Sequence, residues 1–395
     1  AVRIAGGSRT LAACCPQLEH LSAQLCQQHE QPLDAVNPID LAMGCSRLQD
    51  LDLAPVDWDD STLARFLAEA PRLQSFALRH VVPHASGSFL APLLAEVRGA
   101  GASRLAALHL ALHARSDPER AMSWLGLVSK FRGLRSLCLD YAAPLHLESI
   151  MNSLSGGDSG RPAEESCCAS LVALTLHGCH GTDGPALRRV VAACPRLQQL
   201  RVFPDSWREV GEVTDEALGD ALRSLPQLRS LAISSRERLC LSGVTAGARL
   251  RSASVFAPLG DRACAALSMW PCLRHLWLGP HKLMQAGVAF ESCVSDAGLA
   301  LVAAACPGLH DLTVASRLST DAGAAAILRG CRELRRLRLG GDGVTDATLQ
   351  LLHSLAQPRL ERLALWYSGV SAAGLRWASE AMCWTYFDIE LADAS

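Results

Sequence analysis

The residues most able to do chemistry fall in a few short groups. His177-Gly178-Cys179-His180 puts two imidazoles and a thiol into four positions, and these are donor types that zinc takes. A zinc centre needs a closed ligand set, however, and no second pair stands at matching spacing. Cys179 also falls where a strand hands over to the next helix, so it reads as a small hydrophobe turned inward. The vicinal pairs Cys14-Cys15 and Cys167-Cys168 would be redox centres if exposed and low in pKa. Their places, at a repeat junction and at the end of a polar stretch, read as structural. Gly157-Asp158-Ser159-Gly160 has the frame of a serine nucleophile, but that chemistry needs a His and an Asp held beside a built oxyanion hole. Here the tetrapeptide lies in a polar insertion. Gly340-Gly341-Asp342-Gly343 lacks the spacing of a phosphate cradle. The expectation is a chain with no catalytic site, no resident metal and no cofactor.

The elements that would position such residues are repeats. Leu171-Val-Ala-Leu174-Thr-Leu176 alternates as a half-buried strand does. After Thr182-Asp183-Gly184 the spacing changes, and Leu187, Val190 and Val191 fall on one helical stripe. Cys194-Pro195-Arg196-Leu197 then ends the helix and opens the next Leu-x-x-Leu-x-Val run. One strand and one helix cannot bury their own apolar faces, but stacked copies share a core, which is the logic of a leucine-rich-repeat solenoid. Strand cores recur from Leu18/Leu21/Ala23 to Trp384/Phe387/Ile389, with a degraded unit at Leu250/Ala253/Val255. That makes about fourteen repeats at periods of roughly 22 to 37 residues, against a usual 20–29.

The expected fold is therefore one α/β leucine-rich-repeat domain over 1–395. It is an arc with a parallel sheet on the concave face and helices on the convex face. The long periods predict loop insertions at 143–168, 203–213 and 279–293. The first has the polar composition of a surface loop, and Trp207 and Phe290 on the other two are candidate partner anchors. Three helix starts are especially clear: Ser295-Asp296, Thr320-Asp321 and Thr345-Asp346. In each, the hydroxyl is placed to cap orphan N–H groups and the carboxylate to face the positive end of the helix dipole. Near the C-terminus Trp377, Trp384 and Phe387 suit an aromatic cap or a docking surface.

A 49% hydrophobic content supports a large core, and charged residues are only 19%. The net charge of -2 gives no reason to expect nucleic acid or an acidic membrane as partner. No run is long and apolar enough for a membrane span and no signal peptide is visible. The sequence opens at Ala1 inside a helix-like segment, as a processed form or a piece of a longer chain would. Lysine and asparagine are each reduced to two residues, which a GC-rich coding sequence explains together. Several of the 16 cysteines recur at one repeat position (Cys15, Cys45, Cys194, Cys306 and Cys331), which argues for buried thiols in a reducing compartment, cytoplasmic or nuclear.

The better constellation is geometric. Residues beside the second and third Leu of each strand point away from the core, and neighbouring strands lie about 4.8 Å apart, so equivalent positions form ladders. Toward the C-terminus these ladders bring up His275 and Trp277, Asp311 and Thr313, Arg336 and Arg338, then Arg362 and Trp366. Toward the N-terminus they bring up Asp50, Asp52, Ser75, Arg79 and His109, so the face is expected to run from acidic to basic. Arg and Trp dominate binding hot spots, and Arg suits carboxylate or phosphate recognition. His275, Trp277, Arg336, Arg338, Arg362 and Trp366 are thus the candidate partner-binding residues.

Leu171–Leu197, with Cys179 and Cys194 in both cysteine positions, resembles the cysteine-containing subfamily of leucine-rich repeats. Cys306 and Cys331 fill the second position again. The resemblance extends along nearly the whole chain and is strongest at 171–202 and 294–365. It implies a protein-recognition role, most often as the substrate receptor of a cullin–RING ubiquitin ligase in F-box proteins. The chain departs from that pattern in showing no Leu-Pro-x-Glu-like F-box segment before the repeats. Two expectations follow: a protein-interaction module like the substrate-recognition part of such a receptor, joined to the ligase adaptor if an F-box lies upstream, or a non-catalytic scaffold subunit of a large assembly. In either, protein partners would sit on the concave face and the inserted loops.

Overall fold

The Leu-x-Leu alternation becomes fourteen short strands in the computed structural model. The model describes residues 15–24, 43–54, 60–78, 90, 104–111, 118–140, 145–156, 166–203, 211–241, 244, 247, 249–279, 293–355, 360–381 and 386–391. The chain divides into two compact units, Ala1–His180 with Ala192–Leu197 and Gly181–Val191 with Gln198–Ser395.

In the first unit six strands pair in chain order: β1 (His20–Gln24), β2 (Asp50–Ala54), β3 (Ser75–Leu78), β4 (Ala107–Ala111), β5 (Ser136–Asp140) and β6 (Ala173–His177). Every pairing is parallel and without slip. The second unit continues the same scheme with β7 (Gln199–Phe203), β8 (Ser230–Ser234), β9 (Ser252–Phe256), β10 (His275–Leu278), β11 (Asp311–Val314), β12 (Arg336–Gly340), β13 (Arg362–Ser368) and β14 (Tyr386–Leu391). Its pairings are also parallel. All fourteen expected strands are present, the degraded unit included, where Ala253 and Val255 are fully buried in place of leucines. The fold is an α/β leucine-rich-repeat solenoid.

Most of the described strands begin in the same way. The carbonyl of the cysteine position accepts the amide of the following Leu, as from Leu309 to Cys306 at 3.2 Å and from Leu334 to Cys331 at 3.2 Å. One carbonyl of the preceding repeat then accepts two successive amides: His310 O takes Arg335 N at 2.7 Å and Arg336 N at 2.9 Å. That shared acceptor sets the register, and with a period of two it sends the second and third Leu of the motif to the core face. Of the repeat cysteines, Cys45, Cys194, Cys306 and Cys331 are buried, and the Cys331 thiol donates to the Cys306 carbonyl at 3.6 Å. Cys15, expected to be buried like them, is exposed because the described residues stack a repeat on only one side of it. Every described cysteine is a free thiol.

The helix starts hold one addition. Ser295, Thr320 and Thr345 cap their own helices, accepting from Ala297, Ala322 and Ala347, and the neighbouring aspartates lie in the first turn as expected. The same aspartates also reach into the next repeat. Asp296 accepts from Thr320 N at 2.8 Å and Thr320 Oγ1 at 2.6 Å. Asp321 does the same with Thr345 at 2.8 and 2.6 Å, and Asp346 with Ser371 at 2.8 and 2.5 Å. Asp261 begins the series on Ser295. Each carboxylate thus pins the cap of the following helix, and a column of aspartates runs through this unit.

The insertion at 143–168 is smaller than its composition suggested. Leu147–Ser155 is the repeat's own helix, burying Leu147, Ile150, Met151 and Leu154 at i, i+3, i+4 and i+7. It ends on Gly156, whose positive φ of 79° makes the left-handed cap. Ser166, Cys167 and Cys168 are buried again. Ser159 of the Gly-Asp-Ser-Gly stretch, Trp207, Phe290 and most of the other two insertions lie outside the described residues, as does Cys14. Among the described residues no helix is long and apolar enough to cross a membrane. Trp377 packs edge-on against His353, with ring centroids 5.3 Å apart, while Trp384 lies outside the described residues.

Candidate interaction surface

The outward residues of β10 to β13 stand in rows because the strands are in register. The first row is His275, Asp311, Arg336 and Arg362, and the second is Trp277, Thr313, Arg338 and Ala364. Five of the six expected residues therefore stand in these two rows, with Asp311 and Thr313 between the pair on β10 and the arginines. His275, Arg336 and Arg362 are exposed, and Trp277 and Arg338 are half-buried.

The rows are less basic than the residue types suggested. The Asp311 carboxylate lies between two partners, 2.6 Å from His275 Nδ1 and 3.6 Å from Arg336 Nη1. Such half-exposed pairs contribute about 0–1 kcal/mol each, so their effect is to orient Arg336 more than to hold the fold. Arg338, one pleat along, shares the row of Trp277. In the first unit the acidic end is balanced in the same way: Asp50 is bonded to His20, and His109 lies 2.5 Å from Asp140. Arg79 lies outside the described residues. The expected run from acidic to basic is modified: Asp50, Asp140 and Asp311 each have a histidine one strand away, while Asp52 accepts from Ser22.

Trp366 is placed differently from the open anchor it was expected to be. It is 7% exposed, and its register partner is Gly340. Trp366 therefore offers little area to a partner.

Two aromatic residues escaped the sequence analysis. Phe256 is fully buried and, with Ala232, anchors a small apolar cluster against which Phe203 and Trp277 pack. Trp277 meets Phe256 edge-on at 5.4 Å and 76°, and Phe203 lies 5.8 Å from Phe256. Such pairs add about 0.5–1.5 kcal/mol beyond area burial. They give Trp277 a rigid support beside the charged rows. The available signal was parity: Phe203 and Phe256 follow Val202 and Val255, which puts them on the outward face with Arg201 and Ser254.

The tempting cysteine motifs come apart. His177 faces outward, 3.9 Å from Asp140. Cys179 is fully buried, and burial pushes its thiol up to about 12. His180 instead pairs with His146 across a single parallel bridge. Cys167 and Cys168 are both buried, and contact with the Cys168 sulfur together with burial raises the Cys194 thiol well above its ordinary value. Structural packing, as expected, accounts for Cys179 and Cys194.

This architecture belongs to the leucine-rich-repeat class, whose sheet face and loops serve protein–protein interaction. No family model and no curated protein sequence matches the chain. Among solved structures it is similar to a chain of the yeast Rad7–Elc1 complex, at 14% identity and a TM-score of 0.57, covering 96% of this chain and 86% of that one. It is also similar to an internalin from Listeria monocytogenes, at 12% identity and a TM-score of 0.40 over 98% of this chain and 89% of the other. A Bacteroides fragilis protein gives 16% identity and a TM-score of 0.45, over 65% and 75%. At such identities the yeast likeness shows the fold alone, along nearly the whole length.

Proposed function

We propose that this chain is the recognition arm of a ubiquitin-ligase substrate receptor, reading protein partners with the open face of its second unit. The observation that carries the recognition reading is the surface itself. Arg336, Arg338 and Arg362 stand on adjacent strands, and Trp277 lies one strand beyond, across Asp311 and Thr313, flanked on its other side by Phe256 and Phe203. Braced aromatics near oriented guanidinium groups are the chemistry of binding hot spots, and three arginines favour a carboxylate-bearing partner segment. The ligase role itself rests on the cysteine-containing repeats. The likeness to a protein crystallised in complex with a second protein, Elc1, agrees with a role in an assembly. The free, buried thiols suit a reducing compartment, cytoplasmic or nuclear.

The test is affinity purification of the full-length protein from its own cells, with wild type and R336E/R338E/R362E compared by quantitative mass spectrometry. Co-purified cullin and adaptor, together with a substrate reduced at least tenfold in the variant, is the expected result. A stoichiometric set of subunits without cullin would replace the ligase reading with a scaffold. Unchanged partner recovery in the variant would remove the open face from either.

A further inference from the structure

A second cluster of donors stands on the open face of the first unit. His109 on β4, Cys138 and Asp140 on β5 and His177 on β6 come from three neighbouring strands. In register, His109 is beside Cys138. Asp140 follows Cys138 by two residues, so both face outward. His177 follows Leu176, the partner of Leu139, which aligns it with Asp140. The ligand atoms of His109, Cys138 and Asp140 all lie within 4.8 Å of one another. Asp140 Oδ1 is 3.8 Å from the Cys138 sulfur and 3.9 Å from His177 Nε2. Asp140 Oδ2 is 2.5 Å from His109 Nε2.

We propose that His109, Cys138, Asp140 and His177 form a binding site for a transition metal of the zinc class. With metal–ligand bonds of about 2.0–2.3 Å, two donors on one tetrahedral ion stand roughly 3.2–3.8 Å apart. The two longer separations on Asp140 Oδ1 are already close to that range. His109, Cys138 and Asp140 form the preassembled part of the set, while His177, outside the group of ligand atoms within 4.8 Å of one another, has to swing its ring inward to complete it. The His109–Asp140 hydrogen bond, on the other carboxylate oxygen, opens as the ion takes its place. Two imidazoles, one thiolate and one carboxylate carry a charge of two negative, which neutralises a divalent ion. The donor set is soft to borderline, so it selects zinc, cobalt or copper and rejects magnesium and calcium, which require oxygen. The site is open enough for entry, with His109, Asp140 and His177 side chains 21%, 23% and 44% exposed.

Binding is an exchange of protons for metal. The ion forms a bond to the Cys138 sulfur and the thiol proton passes to solvent; His109 must present Nε2 without its hydrogen, leaving the ring proton on Nδ1. Affinity is therefore expected to fall as pH is lowered, since protons compete for the same atoms. Bound metal would tie three strands together at one point and stabilise the folded chain by mass action.

The experiment uses the full chain in a C15S/C272S background, which removes the thiols that are exposed among the described residues, and metal salts alone as probes. Calorimetry is expected to give one equivalent of Zn²⁺ and no heat with Mg²⁺. Cobalt is expected to show the absorption of a tetrahedral ion with a thiolate-to-metal band. Cys138→Ser should abolish that band with the far-ultraviolet circular dichroism unchanged, and His109→Ala or His177→Ala should weaken binding at least tenfold. Absence of stoichiometric Zn²⁺ binding would overturn the proposal. So would a thiolate band that survives Cys138→Ser, because it would place the metal on other cysteines.

Discussion

Replacing Asp321 with alanine tests whether the aspartate column joins the repeats. Its carboxylate accepts from Thr345 N at 2.8 Å, Thr345 Oγ1 at 2.6 Å and Thr348 Oγ1, and Thr348 is fully buried. Hydrogen bonds to a charged acceptor contribute about 1.5–3 kcal/mol each, and a buried donor left alone costs about 1–3 kcal/mol. Water can reach part of the half-exposed Thr345, so the expected net loss is about 2–4 kcal/mol for Asp321→Ala. Asp321→Asn keeps one acceptor for the Thr345 amide and should lose about half as much.

Solenoid stability is a sum of repeat and interface terms, so the loss should fall at one junction and make unfolding less cooperative. Urea unfolding monitored with hydrogen exchange is the suitable assay. The amides of Thr345 and Ala347 are expected to lose protection before those of Leu309 and Leu312. A double-mutant cycle with Thr345→Val should give a coupling of about 1 kcal/mol or more. A loss under about 0.5 kcal/mol, the size seen at an exposed ion pair such as Asp220–Arg223, would refute the reasoning. So would zero coupling.

The acid limb gives a second reading of the same bonds. Burial alone would raise the Asp321 pKa, but the Thr345 and Thr348 donors outweigh it and hold the group below its ordinary value. A depressed folded pKa means that the stabilisation is complete above the unfolded carboxylate value of about 3.9 and is lost as pH falls through the lower folded one. Asp321→Asn should flatten that part of the pH–stability curve.

Two further predictions concern packing and thiols. Gly323→Ala puts a methyl 2.4 Å from Asp296 Oδ1 and 2.6 Å from Leu299 Cδ1, so it should cost about 1–3 kcal/mol by overpacking. Gly126→Ala in the helix Pro118–Val128 meets nothing within 4 Å and should stabilise by about 0.5–1 kcal/mol; thermal melts that gave both changes one sign would contradict the packing described. Burial raises the thiols of Cys306 to about 11 and of Cys264 and Cys331 to about 12. Alkylation of the native protein at pH 8 should therefore mark Cys15 and Cys272 and spare these three, and native labelling of Cys331 at the rate of Cys272 would count against a repeat-locked core.

The fold was legible because its information is local and repeated. A Leu at every second position, a helix start such as Thr320-Asp321 and a cysteine before the next Leu each state one element, and fourteen copies reinforce one another. Open-face membership was legible for the same reason: parity along a strand is a property of the chain. That was enough to bring His275, Arg336, Arg338 and Arg362 onto one surface before any coordinates.

What a side chain meets once there is decided across strands, by register and by its neighbours. Trp366 has the outward parity of Arg362 and yet is buried, and Asp311 lies between His275 and Arg336 because consecutive repeats place them in one row. The Asp296 and Asp321 carboxylates, besides standing in the first turn of their own helices, bond the next repeat, 24 residues away. His109, Cys138, Asp140 and His177 share no linear spacing that a motif could state, while His177-Gly-Cys179-His180, which has one, is split between the sheet face and the core. Periodicity along the chain determined the strands, helices and faces of this protein. Only the stacking of repeats, which sets distances between residues far apart in sequence, decided which of those side chains act together.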